Sequence, residues 1–180
     1  MPLRWRRAPF LANESQRLAA LHSTGLLDSD PEERFDRITR LCSSMFKVPV
    51  SAVSLVDKDR QYFKSIEGLP GVKETPRDRA FCAHAILDDG IMVVPDALQD
   101  ERFADNPLVE GAPNVRFYAG CPIHVSSKEG KMPIGTLCLI DSKPHDLREE
   151  ELQSLKDFGA MVEREVSSSF AKTDESDKPL

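Results

Sequence analysis

Arg116-Phe-Tyr-Ala-Gly-Cys-Pro-Ile-His-Val-Ser126 decides the fold. Phe117, Ala119, Cys121, Ile123 and Val125 fall on one face of an extended chain, and Arg116, Tyr118, His124 and Ser126 fall on the other, which is the two-residue period of a strand. The alternation predicts Cys121 on the core side and His124 facing away. Downstream, Lys128-Glu-Gly130-Lys supplies a turn into a second strand at Ile134–Asp141, so the two strands form a hairpin. Upstream, the β-branched run Val50–Val56, the polar Asp57-Lys58-Asp59 and the run Gln61–Ile66 read as another hairpin. A brief strand is expected at Ile91–Pro95.

Helices frame these hairpins. Asn13 with Gln16 and Gly25 predicts a capped helix over 14–23, and Asp30-Pro31-Glu32-Glu33 predicts the start of a second. In that second helix Phe35, Ile38, Leu41, Cys42, Met45 and Phe46 form one apolar stripe, making Cys42 a core thiol. A short helix is expected at Phe81–Leu87, and 72–80 and 96–114 read as loop, with one helical turn near Glu101–Ala104. The last helix opens at Asp146 with Glu149 completing a capping box, and its stripe is Leu152, Leu155, Phe158, Gly159, Val162 and Val166. From Ser167 the composition is polar and reads as a disordered tail over 167–180. The prediction is one α/β (α+β) domain over 13–166, a largely antiparallel five- or six-stranded sheet flanked by helices.

Composition excludes several classes of function. The 180 residues are 40% hydrophobic, enough for one core, and the net charge of −6 offers no footprint for nucleic acid. No apolar run approaches the roughly 20 residues a membrane-crossing helix needs, so no membrane partner is expected. Residues 1–12 carry Arg4, Arg6 and Arg7 with no acid, yet lack the length and Ser content of a transit peptide, and read as a flexible basic arm. Four dispersed cysteines suit a reducing cytoplasmic setting without disulfides.

Several strings, in order, resemble one subgroup of the GAF domain family. Among them are Ser54-Leu-Val-Asp57 with Arg60-Gln61 and Phe63-Lys-Ser65, Phe81-Cys-Ala-His-Ala-Ile86, Val94-Pro-Asp-Ala97, Arg116-Phe-Tyr-Ala-Gly120 and Gly135-Thr-Leu-Cys138. The resemblance covers about residues 13–166. It implies a ligand pocket between the sheet and overlying short helices and loops, in a module of the kind joined to histidine kinases or diguanylate cyclases. No output domain is evident after the last helix, so the expected function is small-molecule or redox sensing, with output through homodimerisation by the terminal helices or a separate signalling partner.

The candidate ligand-binding residues are Phe81, Cys82, His84, Arg77, Asp96 and Tyr118. An imidazole near Cys82 would make its thiolate available. On a helix, however, residues two apart point about 200° apart, so Cys82 and His84 meet only in an extended segment and are otherwise packing groups. Arg77 and Asp96 either line a pocket mouth or belong to solvated charged loops. Which face of the 116–126 strand carries the pocket stays open. Zinc on Cys82, His84, Cys121 and His124 is disfavoured because Cys121 and His124 leave opposite faces, and neither metal nor cofactor is expected. One enzymatic branch of the family reduces free methionine sulfoxide with paired cysteines. Cys82 with Cys121 or Cys138 would be its set here, but that branch also carries a cysteine in the loop before the fourth strand, and 105–114 has none. The Cys-His pair of bilin-binding members and the signature of cyclic-nucleotide-binding members are likewise absent. A scaffold with a vestigial pocket is the remaining alternative.

Overall fold

The computed structural model describes residues 5–176. Its helices are α1 (Glu14–Ser23), α2 (Glu33–Phe46), α3 (Phe81–Ala85), α4 (Pro107–Glu110) and α5 (Glu149–Ser176). Its strands are β1 (Val50–Val56), β2 (Arg60–Glu67), β3 (Glu74–Pro76), β4 (Met92–Val94), β5 (Phe117–Ser127) and β6 (Gly130–Asp141). Among the described residues the strands form one antiparallel sheet in the order β3-β2-β1-β6-β5-β4.

Both faces of this sheet are covered. Against α1, α2 and α5 the strands present Val53, Leu55, Phe117, Ala119, Cys121, Ile123, Leu137 and Leu139. Against α3 and the loops around α4 they present Ala52, Val56, Tyr118 and Cys138. All seven residues of β1 are consequently buried, which explains why its sequence reads as a continuous run rather than an alternation. β1 and β6 approach very closely at Gly135, where a Cβ would stand 1.8 Å from the Ser54 carbonyl oxygen.

A bulge where the β1–β2 register shifts between Val53 and Ser54 leaves Lys64 without an opposite residue. Its fully buried side chain reaches the loop before α2, donating to Ser29 Oγ at 2.7 Å and pairing with Glu32 at 2.9 Å. Glu14 on α1 is held between the buried guanidinium groups of Arg17 and Arg77. Burial raises its pKa, and the two arginines more than reverse that, to about 2.

Several expectations are corrected. Asn13 makes no capping bond, and its amide nitrogen donates to Met132 Sδ at 3.3 Å. The second helix starts at Glu33 with an extended, side-chain-free cap at Glu32, so Asp30 and Pro31 precede it; Asp30 O is taken up as an acceptor for Lys64. Phe35, Ile38, Cys42 and Phe46 are buried, but Leu41 and Met45 are exposed, and Thr39 takes an inner position beside Ile38 and Cys42. Thr39 is bonded to Ser65 at 2.9 Å. The segment 72–80 contains β3 and a 3-10 turn at Arg77–Arg79, whose polar residues gave no strand alternation. The 96–114 loop holds a 3-10 turn at Ala97–Gln99 and α4 as well as the turn beyond Glu101. α5 begins at Glu149 rather than Asp146 and continues through Ser176. Arg34 on α2 ties down its course past Val166 by donating to Glu165 O, Ser168 Oγ and Ser169 Oγ.

The first residues are also engaged. From Trp5, which is buried, the chain lies across α3: Arg6 N donates to Arg102 O at 3.1 Å, and Arg7 pairs with Asp78 at 3.4 Å. Residues 5–12 are therefore not a free arm. Residues 1–4 of that arm and 177–180 of the tail lie outside the described residues.

Cys121 faces α5 as expected, but His124 does not turn away from that helix. β4 pairs with β5 only as far as Gly120, and a bulge follows between Ile123 and His124. The freed His124 N–H donates to Glu163 on α5 at 2.8 Å, and the imidazole lies 3.4 Å from Glu163 and 3.2 Å from Asp89. Glu163 raises the pKa of His124 against the opposing effect of burial, with Asp89 assisting. Its protonated form thus stabilises the fold fully below the ordinary value of 6.5, and that contribution is lost as pH rises through the elevated native value.

Two outcomes follow from this packing. Gly135→Ala should cost about 3 kcal/mol or more in urea unfolding, while Gly90→Ala, which faces open space, should stay within about 0.5 kcal/mol of the parent. His124→Gln should lower the melting temperature more at pH 5.5 than at pH 9, through a loss of up to about 1 kcal/mol at the acid end.

Candidate functional site

The face of the sheet beneath α3 is built from small side chains. Ala52 and Ser54 on β1, Gly120 on β5, and Thr136 and Cys138 on β6 leave room for Cys82 of α3 and for the Tyr118 ring, and beside these, bounded by α3 and the 107–115 segment, lies a hollow. The hollow is a cavity of about 320 Å³, at the small end of the range for ligand pockets. Its walls include Gln61, Phe63, Phe81, Cys82, Tyr118 and Cys138, with Leu69 and Val72 on one rim and Leu108, Ala112 and Pro113 on the other. No charged side chain lines it.

Cys82 points down from α3 to the sheet. Tyr118 Oη donates to its sulfur at 3.1 Å and Thr136 Oγ1 at 3.0 Å. Tyr118 reaches this position because its ring lies over Gly120, where a Cβ would come within 2.2 Å of the phenol oxygen. Ser54 Oγ, buried and otherwise unpartnered, faces the same sulfur, as does the Cys138 thiol. Burial pushes the Cys82 thiol up, but donation from Cys138, Ser54, Thr136 and Tyr118 outweighs it and brings the thiol below its ordinary value of 9.0. Cys138 is driven the opposite way, chiefly by its bond to Cys82, and keeps its proton. Cys42 and Cys121 are inert by contrast, burial pushing them to about 12 and about 11.

Of the six residues singled out by sequence, Phe81, Cys82 and Tyr118 meet in this cavity, with Cys138 beside them. His84, on the far side of α3 from Cys82, lies 2.8 Å from Arg6 O and sets its ring edge against Phe103, with centroids 4.8 Å apart. Burial lowers its pKa, so the imidazole is neutral and fastens the N-terminal segment. Arg77 is committed to Glu14, to the Asp57 carbonyl at 3.0 Å and to the Phe10 ring at 4.6 Å. Asp96 caps the turn at Ala97–Gln99 by accepting from Leu98 N at 3.1 Å. Cys121 lies on the opposite face of the sheet, against Gly159 of α5.

Gln61 is the most polar of several cavity residues, Phe63, Thr75 and Leu108 among them, that the sequence does not single out. It is 6% exposed, its Nε2 donates to Thr75 Oγ1 at 3.1 Å, and its Oε1 has no partner. A polar residue on an edge-proximal strand normally reads as solvent-facing. The one signal available was its two-residue spacing from Phe63.

A family model described as GAF domain matches residues 30–166. Over 155 residues, 86% of the chain, the sequence is 39% identical to a cyclic di-GMP phosphodiesterase of Pseudomonas aeruginosa, and the chain spans 26% of that protein's length. Among solved structures, the GAF domain of an Acinetobacter phosphoenolpyruvate-protein phosphotransferase superposes with a TM-score of 0.62 at 18% identity, covering 89% of this chain and 97% of that one. A free methionine-R-sulfoxide reductase from Neisseria meningitidis gives 0.61 at 17% identity, covering 91% and 97%. At those identities the likeness is one of fold.

Reaction with a small alkylating agent such as iodoacetamide, followed by peptide mass mapping, should label Cys82 with a pH midpoint below 9, ahead of Cys42 and Cys121. Tyr118→Phe removes one donor and should move that midpoint upward. Equal labelling of the three cysteines at every pH would contradict this picture of the sulfur.

Proposed function

The chain belongs to the GAF domain family, and from that membership we propose that it is a cytoplasmic regulatory sensor whose input is a small molecule held in the cavity beneath α3. The observation that carries this reading is the cavity itself, roofed by loops and bounded by Phe63, Phe81 and Tyr118. A concave, mostly apolar hollow of this size with a few polar groups is the usual form of a small-molecule site. Output passes to a second copy of the chain or to a separate signalling partner. The exposed side chains of Leu41 and Met45, one turn apart on α2, and of Met161 on α5 favour the homodimer. The match to part of a cyclic di-GMP phosphodiesterase supports a place in signalling of that kind.

A second reading is favoured by one observation, the donors gathered on Cys82. In it the same cavity reports oxidation of that sulfur, and in an enzymatic form the thiol reduces a sulfoxide. The absence of cysteine from residues 105–114 weighs against the enzymatic form.

Native mass spectrometry of the purified protein, before and after denaturation, should detect a retained small molecule, and adding that molecule back should raise the melting temperature. Ala112→Trp, which fills the cavity from its rim, should abolish retention with the fold intact by circular dichroism. An empty cavity in both proteins, with no compound raising the melting temperature, would sink the sensing reading.

A further inference from the structure

All four cysteines are free thiols, and the sheet sorts them into two pairs. Cys42 and Cys121 lie on the face covered by α1, α2 and α5. Cys82 and Cys138 lie together on the other face and share the lining of the cavity.

Two hydrogen bonds fix the Cys82 sulfur close to Cys138. One comes from Thr136 Oγ1 at 3.0 Å, and Thr136 precedes Cys138 by two residues on β6, so both side chains leave the same face. The other comes from Tyr118 Oη at 3.1 Å. That phenol oxygen lies 2.2 Å from where a Gly120 Cβ would stand, and Gly120 is the β5 residue directly opposite Cys138. Residues so opposed hold their Cβ positions about 5 Å apart. The sulfur is thus gripped from both sides of Cys138, along its own strand and from the neighbouring one, and the Cys138 thiol lies beside it. A bond between the two sulfurs would join α3 to the strand beneath it.

The pair is also divided in its chemistry. The Cys82 thiol is held below its ordinary value despite burial, whereas Cys138 is held above it and keeps its proton. One sulfur is the nucleophile and the other a protonated thiol next to it, an arrangement in which a sulfenic acid condenses to a disulfide. The cavity supplies the approach, since both cysteines line it and no charged side chain does.

We propose that Cys82 and Cys138 form a reversible disulfide when a hydroperoxide enters the cavity. The proposal rests on the oxidation reading above and gives it a second sulfur. The Cys82 thiolate attacks one oxygen of the hydroperoxide. An S–O bond forms, the O–O bond breaks, and the departing alkoxide or hydroxide takes up the proton that Cys82 released. The Cys138 sulfur then attacks the resulting sulfenic acid. The S–S bond forms, the S–O bond breaks, and the hydroxyl leaves as water with the Cys138 proton. In sum the thiol pair loses two electrons, and the hydroperoxide is reduced to an alcohol and water, or hydrogen peroxide to water alone. Tyr118 and Thr136 lose the thiolate to which they donate, so oxidation is felt in the cavity wall where Tyr118 stands.

The test treats the full chain with hydrogen peroxide, unfolds it in an alkylating agent and maps the unreduced peptides by mass. A peptide pair joined through Cys82 and Cys138 should accumulate and vanish on treatment with dithiothreitol, with Cys42 and Cys121 recovered as alkylated thiols. Its rate of formation should rise with pH, with a midpoint below the 9.0 of an ordinary thiol. In Cys138→Ala the oxidation should stop at a Cys82 sulfenic acid that dimedone traps, and in Cys82→Ala the Cys138 thiol should stay reduced. Should either variant fail to fold, the linked peptide and its pH profile in the wild-type chain decide the matter. Sulfenic or sulfinic acid on Cys82 with Cys138 still reduced in the wild-type chain overturns the disulfide and leaves the oxidation reading standing. A link from Cys82 to Cys121, or between two chains, overturns the pairing. No oxidation of Cys82 overturns the proposal and the oxidation reading together, and the retained-molecule measurement then decides the small-molecule reading separately.

Discussion

The fold depends on the pairing of β1 with β6 at the centre of a sheet that is buried on both faces. Val50 to Leu55 run antiparallel to Ile140 to Gly135, and the closeness of Gly135 to the Ser54 carbonyl leaves no room for any side chain there. A strand pair covered on both sides has two sets of side chains to satisfy. On the helix face these are bulky: Val53, Leu55, Leu137 and Leu139 fill the space under α1, α2 and α5. On the other face they are Ala52, Ser54, Thr136 and Cys138. That asymmetry lets α3 sit close on this face of the sheet. Large residues at those four positions would have made a second packed core, with no space for Cys82 beneath α3.

The same small residues fix the chemistry of the hollow. Three of them carry a hydroxyl or thiol, and in a face shut off from water each needs a partner. Thr136 finds it in Cys82, joined there by Tyr118 from β5, while the Cys138 thiol and Ser54 Oγ lie beside the same sulfur, Ser54 Oγ with no other partner. A sulfur is a weak acceptor when protonated and a strong one when ionised. The shift of its pKa is thus a direct result of having more hydroxyl groups than better acceptors on this face.

Sequence carried the strand pattern well, because alternation and turn residues are local properties. The two hairpins, the short helix at Phe81 and the long final helix lie within a few residues of where Phe117–Val125, Lys128–Gly130 and the stripe from Leu152 put them. The GAF resemblance, carried on strings such as those from Ser54 to Cys138, agrees with the family match over residues 30–166. What was not legible depended on partners distant in the chain. Asn13 looks like a cap but bonds Met132 instead, Asp30 looks like one but the helix begins beyond it and its carbonyl accepts from Lys64, and Arg77 looks like a ligand group until Glu14 occupies it. His84 was placed in a pocket because it follows Cys82, yet the helix turns it to Arg6, in a segment that composition alone reads as unstructured. His124 departs from its strand's alternation because of a bulge at an edge left open by β4, which no short-range pattern announces.

Gln61 shows the same limit from the other side. A buried amide with one unpaired oxygen costs on the order of 1–3 kcal/mol compared with a satisfied one, whereas an apolar residue of similar length would carry no such penalty. Every other choice on that wall is consistent with a stable apolar lining: Phe63, Val72, Val115 and Ile140 are what a core would use. Local choices that work against the fold's own stability, in a molecule otherwise consistent at every level, concentrate where a ligand supplies the missing interaction. The bond from Gln61 to Thr75 satisfies one half of the amide and ties β2 to β3 beside the hollow, so the strand edge is held by a polar side chain where an apolar one would have packed more cheaply.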